Sequence, residues 1–203
     1  MWLFSQIVRV GAGGCTLRTL VFLFLVFTGA LPAAGFPPSA AIYLLDAQNK
    51  ETRIGEVVFS DVANGATAVK VEMDNAAFTE HFLSMRPFRC IEGATEWFCY
   101  LQYPYDLRSI ITPDDLSDLE YQLLFVRKTP AEFGIDAWNG LYYKLEVEAD
   151  GSITGKLLEG DLNSLQSPPA EKYAKPVDLE EFISASKSKR LFPTLRIYQP
   201  VRE

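Results

Sequence analysis

Short runs of alternating apolar and polar residues, separated by turn residues, restrict this chain to an antiparallel β-sheet. The clearest run covers residues 140–157, where the alternation continues on both sides of Asp150-Gly151. Side chains along a strand point alternately to the two faces of the sheet, so a three-residue turn at residues 150–152 puts both apolar sets on the same face. That face is predicted to carry Leu141, Tyr143, Leu145, Val147, Ile153 and Leu157.

Other β-branched and aromatic runs extend this sheet. Asn64-Gly65 is a strong hairpin signal, and it joins two runs that form a meander with the run before them. Besides the two strands that flank Asp150-Gly151, the predicted strands are 40–46, 53–62, 66–73, 88–91, 97–100, 121–128 and 194–200.

Three segments carry helix-start signals. Asp74 or Asn75 can cap a helix in which Phe78, Phe82 and Met85 recur at helical spacing. Thr112 can cap a second helix, with Pro113 at its first position, and residues 178–190 begin acidic and end basic, as a helix dipole favours. Together the patterns predict an α+β or mostly-β single domain. It is built on an antiparallel sheet of about eight short strands, a partial barrel or sandwich, with two or three short helices.

Residues 1–35 have the layout of a secretory signal peptide. Arg9 and Arg18 precede a twelve-residue apolar core at residues 20–31, and small residues follow it. Twelve helical residues span about 18 Å, well short of the roughly 30 Å hydrocarbon core of a bilayer. We therefore expect cleavage and a single globular domain at residues 36–203. An uncleaved N-terminal membrane anchor is the alternative, because the segment before the core is long and begins with the apolar residues MWLF.

The predicted mature chain is strongly acidic. Without Arg9 and Arg18, the 19 basic residues fall to 17 against 26 acidic ones, which gives a net charge of −9. Bulk charge of this sign opposes binding to nucleic acid and to anionic lipid. We expect a periplasmic or secreted protein with no nucleic-acid partner and no stable membrane association after signal cleavage.

Cys90 and Cys99 are the two cysteines outside the predicted leader. In an exported chain, two cysteines on one hairpin indicate a disulfide bond, and pairing them places Ile91 opposite Phe98 and Arg89 opposite Tyr100. Closing a ten-residue loop should stabilise the fold by roughly 2.5–3 kcal/mol. Eight residues lie between the cysteines, whereas catalytic redox pairs are usually separated by two.

Aromatic and arginine residues are dense between residues 86 and 108. Exposed tyrosine and tryptophan beside arginine would form a binding face for a small ligand, a glycan or a protein partner, whereas buried aromatics would be core. The exposure of Trp97, Tyr103 and Tyr105 decides between these two interpretations. The candidate face is Arg86, Arg89, Trp97, Tyr100, Tyr103, Tyr105 and Arg108.

Two other functions remain open at this stage. His81, Met85 and Met73 offer imidazole and thioether ligands of the kind that suit copper, so an exported copper-binding protein is one alternative. A hydrolase is the other, although no nucleophile turn or phosphate loop supports it. We therefore predict a non-enzymatic binding protein without a cofactor.

Overall fold

Twelve β-strands run through residues 35–200, the part of the chain that the computed structural model describes. The strands are β1 (Ser39–Leu45), β2 (Glu51–Asp61), β3 (Thr67–Met73), β4 (Thr79–Phe82), β5 (Pro87–Glu92), β6 (Trp97–Tyr100), β7 (Ile110–Ile111), β8 (Phe125–Lys128), β9 (Gly140–Val147), β10 (Ile153–Gly160), β11 (Ile183–Ser184) and β12 (Thr194–Tyr198). One α-helix, α1 (Ser117–Glu120), lies in the described residues. The chain is mostly β, but the prediction of about eight strands with two or three helices is wrong.

All twelve strands belong to one antiparallel sheet, as predicted. Its order is β4-β5-β6-β8-β9-β10-β12-β1-β2-β3-β7, and β11 pairs with β10. The predicted signal peptide lies outside the described residues except for Gly35, and the predicted domain bounds stay predictions. Within residues 35–200, no helix has the length and apolar character needed to cross a membrane.

The hairpins form where the turn residues predicted them. Asn64 and Gly65 adopt positive φ values of 67° and 73° between β2 and β3. Between β9 and β10, Glu148 N–H donates to the Ser152 carbonyl at 2.8 Å, so the loop encloses residues 149–151, one residue earlier than predicted. Ile153 therefore pairs with Val147, two residues away from the predicted partner. Because side chains alternate between faces every residue, a shift of two leaves the apolar residues on one face.

The predicted helix at residues 74–85 does not form. Asp74 accepts a hydrogen bond from Ala76 N–H, but the helix it caps is a single 3-10 turn at Asn75–Ala77. The chain then enters β4, where its backbone pairs with β5. Phe82 and Met85 are 77% and 97% exposed, so the helical spacing of the apolar residues has no buried face behind it.

The other two helix starts also end early. Thr112 closes a turn by accepting from Asp115 N–H, and α1 begins only at Ser117. Asp178 accepts from Glu180 N–H and caps one 3-10 turn, after which the chain pairs with β10 as β11. In both places a side chain closes a short turn, and the sequence that follows is used by the sheet or a loop.

The sheet buries side chains on both of its faces around β5, β6, β8 and β9. We call the side that carries Phe98, Phe125 and Tyr143 the inner face; it holds the main core, which also includes residues of β1, β2, β3 and β12. The side that carries Cys90, Cys99, Val126 and Tyr142 is the outer face. Loops 101–107 and 161–179 cover part of it and bury Tyr103, Leu162, Leu165 and Val177.

Candidate binding groove on the outer face

The disulfide hairpin is built as its sequence predicts. Cys90 and Cys99 are paired across β5 and β6, are joined by a disulfide bond, and are both 0% exposed. Arg89 lies opposite Tyr100 and Ile91 opposite Phe98, which confirms the predicted register. On the outer face, Phe88 packs against the two cysteines. The hairpin therefore forms a crosslinked part of the outer face.

Strand alternation divides the predicted aromatic and arginine face between the two sides of the sheet. Arg89 and Tyr100 point to the inner side, where the Arg89 guanidinium lies 5.2 Å from the Tyr100 ring centre. The Tyr100 hydroxyl donates to the Gln122 carbonyl at 3.2 Å. Burial raises the pKa of Tyr100, and the nearby Arg89 charge offsets part of that rise. These two residues do not share a surface with Trp97.

Trp97 lies on the outer side, but neighbouring side chains occupy its ring. The His81 ring centre is 4.2 Å away, and the Lys128 ammonium lies 4.3 Å from the Trp97 ring centre. The Glu92 carboxylate lies 2.9 Å from His81 Nε2. Trp97 is half-buried in this cluster, so its ring is not a free stacking platform.

Tyr103 and Tyr105 tie the two covering loops together. Tyr103 is 7% exposed and donates through its hydroxyl to the Ala174 carbonyl at 3.2 Å. Tyr105 is half-buried and donates to the Leu165 carbonyl at 3.0 Å. Burial, followed by the proximity of Tyr105, raises the pKa of Tyr103. Of this pair, Tyr105 alone lines a cavity on the outer face that Arg86 also lines.

Arg108 stands apart from that cavity. Its guanidinium lies 5.6 Å from the ring centre of Tyr173, and its side chain is exposed. It is therefore a matched counterpart to Arg86, since both arginines rest on an aromatic ring.

The cavity is a groove of about 420 Å³ between the hairpin, β8 and the covering loops. This volume lies within the range typical of small-molecule sites, roughly 300–1,000 Å³. Its main apolar walls are Phe88, Leu101, Val126, Ile135, Leu162 and Leu165. Its polar lining residues are Ser84, Arg86, Tyr105 and Gln166.

Exposed apolar side chains lie on two of the chain segments that line the groove. Seven large hydrophobic residues are exposed in residues 35–200, and four of them lie on segments 82–86 and 133–138, which also contribute lining residues. The four are Phe82, Met85, Phe133 and Trp138. The two segments touch, because a Cβ on Gly134 would lie 3.1 Å from the Leu83 carbonyl oxygen. Clustered exposed apolar residues commonly mark an interaction site.

Three other clefts have more charged residues in their linings. Clefts of about 590 and 430 Å³ each contain residues of both charges, Arg53 with Glu56 in the first and Arg196 with Asp150 in the second. A cleft of about 680 Å³ is lined by charged residues that include Glu51, Glu148 and Lys187. The outer-face groove is the cavity with predominantly apolar walls and one charged residue.

The predicted copper ligands have three different surroundings. Met73 is half-buried and packs against the main core, whereas Met85 is almost fully exposed. His81 contacts Glu92 and Trp97. Within the described residues, no group of three or more His, Cys, Asp or Glu side chains is placed to hold a metal ion.

A buried carboxylate that the sequence did not single out lies behind the groove. Glu120 is 0% exposed and accepts hydrogen bonds from the Tyr142 hydroxyl at 2.6 Å and Leu145 N–H at 2.8 Å. Lys144 pairs with it at 3.0 Å. Burial, followed by the Glu120 charge, raises the pKa of Tyr142. Every partner is intramolecular, so this cluster fixes α1 to β9.

The only sequence signal for this cluster was Tyr142, an aromatic residue in the polar phase of a clearly alternating strand.

Comparison with protein-family models, with curated proteins and with solved structures finds no match. The function of the chain therefore has to be argued from the groove and the side chains around it.

Proposed function

We propose that this chain is an exported, disulfide-stapled, non-enzymatic binding protein, and that the outer-face groove is its ligand site. The observation that carries the proposal is the lining of that groove. It is mostly apolar, is walled by residues from several segments, and includes Arg86 and Tyr105 of the predicted face. The composition of residues 1–35 and the buried disulfide support export, because disulfides persist in oxidising compartments.

The shape and lining favour a small ligand over a glycan. Within the predicted aromatic and arginine face, Trp97 is occupied by His81 and Lys128 and Tyr103 is buried, so these two rings are not available to stack on a sugar. A concave apolar groove instead suits a ligand with substantial apolar surface. The exposed Trp138, which follows the lining residue Ala137, can then contact parts of that ligand that extend beyond the groove.

The groove also lacks the groups that hydrolysis would need. Within residues 35–200 its lining contains no histidine, cysteine or carboxylate, so Ser84 and the Tyr105 hydroxyl have no general base among the lining residues. Tyr105 already donates its proton to the Leu165 carbonyl. This lining supports binding without catalysis.

The test is to fill the groove and measure the binding of a neutral apolar dye, N-phenyl-1-naphthylamine, by fluorescence. Ala137 lines the groove, so Ala137→Phe should weaken dye binding by about tenfold or more, because the ring would occupy the space that the dye needs. The control is Ala47→Phe in the exposed turn between β1 and β2, which should bind as the parent protein does.

Far-ultraviolet circular dichroism and the denaturation midpoint should show that both variants are folded. Equal dye affinity in the folded Ala137→Phe variant and the parent protein would overturn the proposal, because the dye would then bind elsewhere. Absence of dye binding to the parent protein would overturn it as well.

A further inference from the structure

We infer that the groove selects an amphipathic monocarboxylate, with the apolar chain between the walls of the groove and the carboxylate on Arg86. This inference rests on the proposed function and deepens it by naming the ligand class. Three observations carry it: the charge of the lining, the hydrogen-bonding state of the polar lining residues, and the position of Arg86 at the rim.

The charge of the lining is opposite to that of the whole chain. The protein has 26 acidic and 19 basic residues, yet within residues 35–200 Arg86 is the only formally charged residue among those that line the groove. Low-dielectric walls strengthen the field of a charge placed beside them. The groove is therefore a local positive site on an acidic protein, which favours a ligand that carries negative charge.

Arg86 has no protein anion to neutralise it. Within residues 35–200, no carboxylate lies within 4.0 Å of its guanidinium, whereas Arg53, Arg127 and Arg190 each pair with at least one. The Arg86 guanidinium instead stacks on the Phe88 ring, whose centre lies 5.1 Å from the guanidinium carbon. Stacking on a ring holds the guanidinium in place and leaves its N–H groups free to donate.

Of the three other polar lining residues, two already donate hydrogen bonds within the protein, and the third, Ser84, offers only a neutral hydroxyl. The Tyr105 hydroxyl donates to the Leu165 carbonyl, and the Gln166 amide donates to the Asn163 side chain. Arg86 is thus the donor that can hold an anionic head group. A guanidinium binds a carboxylate through two parallel hydrogen bonds, and its single charge balances one negative charge.

The position of Arg86 orients the ligand. Arg86 is exposed, whereas Phe88, Leu162 and Leu165 in the walls are buried. An apolar chain placed between those walls removes its own apolar surface from water, at about 25 cal/mol for each Å². The carboxylate can stay at the rim, where it keeps part of its hydration while it pairs with Arg86.

The test uses four ligands with the same ten-carbon chain: decanoate, decanol, decyl phosphate and decyltrimethylammonium. Each is titrated into the mature protein by calorimetry at pH 7.5, below its micelle concentration. We expect decanoate to bind about tenfold or more tightly than decanol, because a charge-assisted hydrogen bond contributes roughly that factor. Decyl phosphate should bind less tightly than decanoate, and the cationic ligand should bind most weakly.

Arg86→Gln should remove the preference for decanoate over decanol and leave decanol binding unchanged. Arg108→Gln is the matched control, since Arg108 also rests on an aromatic ring but lies outside the groove lining, and it should keep the preference. Equal binding of decanoate and decanol, or a preference that survives Arg86→Gln, would overturn the inference while the proposed function stands. Failure of all four ligands to bind would overturn both.

Tighter binding of decyl phosphate than of decanoate, lost on Arg86→Gln, would overturn the carboxylate assignment and identify a phosphate-headed ligand.

Discussion

The two faces of the sheet bury side chains in different ways. On the inner face Phe98, Phe125 and Tyr143 are all 0% exposed and belong to one continuous core that draws on most of the strands. On the outer face Phe88 and Leu165 are each 7% exposed and also line the groove. Both faces are apolar, but these two outer-face residues border the groove, whereas the three inner-face aromatics line none of the clefts described above. The difference suggests that the inner face provides most of the stability and the outer face provides the site.

The contacts that hold the side chains in place also differ between the outer and the inner face. Loops cover the outer face, and tyrosine hydroxyls attach them: Tyr103 bonds the Ala174 carbonyl, and the Tyr121 hydroxyl accepts from Val177 N–H at 2.8 Å. Strand pairing and close packing hold the inner face, where Phe98 lies 4.6 Å from Phe125 between ring centres. A layer held by a few loop contacts can leave space that close strand packing would fill.

The largest expected loss of stability comes from truncating a phenylalanine, and it should differ between the two faces. Phe98→Ala should lower the free energy of unfolding by about 4 kcal/mol, because it leaves a cavity inside the closed core. Phe88→Ala should cost less, about 2–3 kcal/mol, because its site borders a groove and gains less new cavity. Urea unfolding followed by circular dichroism measures both values.

Dye binding completes this comparison. Phe88→Ala should also weaken the binding of N-phenyl-1-naphthylamine, whereas Phe98→Ala should leave it unchanged under conditions where the protein is folded. An equal loss of stability in the two variants, with equal dye affinities, would mean that the two faces do not differ in the way described.

Removing the disulfide should have the next largest effect. The double variant Cys90→Ala/Cys99→Ala should lower the free energy of unfolding by roughly 2.5–3 kcal/mol, the loop-closure entropy of a ten-residue loop. Because Phe88 packs against the two cysteines and lines the groove, dye affinity should fall too. The measurements are urea unfolding and dye titration of the folded variant. Lost stability with unchanged dye affinity would show that the disulfide supports the hairpin without shaping the groove.

The elements that could be predicted from the sequence are those whose signals are local. Asn64-Gly65 predicted a hairpin, and the cysteine pair predicted the register of β5 and β6, because turn residues and a crosslink act over a few positions. Asp74 was correctly identified as a cap candidate. The helices predicted at residues 74–85 and 178–190 do not extend beyond one turn because the residues that follow form β4 and β11, which pair with β5 and β10, and a single sequence does not reveal that pairing.

The site was only partly predictable for the same reason. Alternation along β5 and β6 was sufficient to place Arg89 and Trp97 on opposite faces, so the predicted seven-residue face could have been divided from the sequence. The groove could not, because its walls come from residues as far apart as Ser84 and Gln166. The density of aromatic and arginine residues in the sequence identified the wall of the groove that the hairpin forms. The covering loops form other walls, and no sequence signal identified those.

The smallest expected effect is on the pH dependence of stability, which tests whether water is excluded from the outer face as it is from the inner face. Burial, together with the neighbouring Tyr103 and Glu120, raises the pKa of Tyr121 to about 12, and burial raises that of Tyr143 on the inner face. An unfolded tyrosine ionises near pH 10, so between about pH 10 and 12 the unfolded state has lost protons that the folded state keeps. Stability is therefore fully present below about pH 10 and should fall as the pH rises, by about 1.4 kcal/mol per pH unit for each such tyrosine.

Removing one of these hydroxyls should flatten that dependence. Tyr121→Phe and Tyr143→Phe should each reduce the slope of unfolding free energy against pH by about 1.4 kcal/mol per pH unit, measured by urea unfolding between pH 10 and 11.5. The comparison uses slopes, so a constant loss from the Val177 hydrogen bond does not affect it. If Tyr143→Phe flattens the slope and Tyr121→Phe does not, water reaches the outer layer. The covering loops would then open on their own, and the groove would be formed only while they are closed.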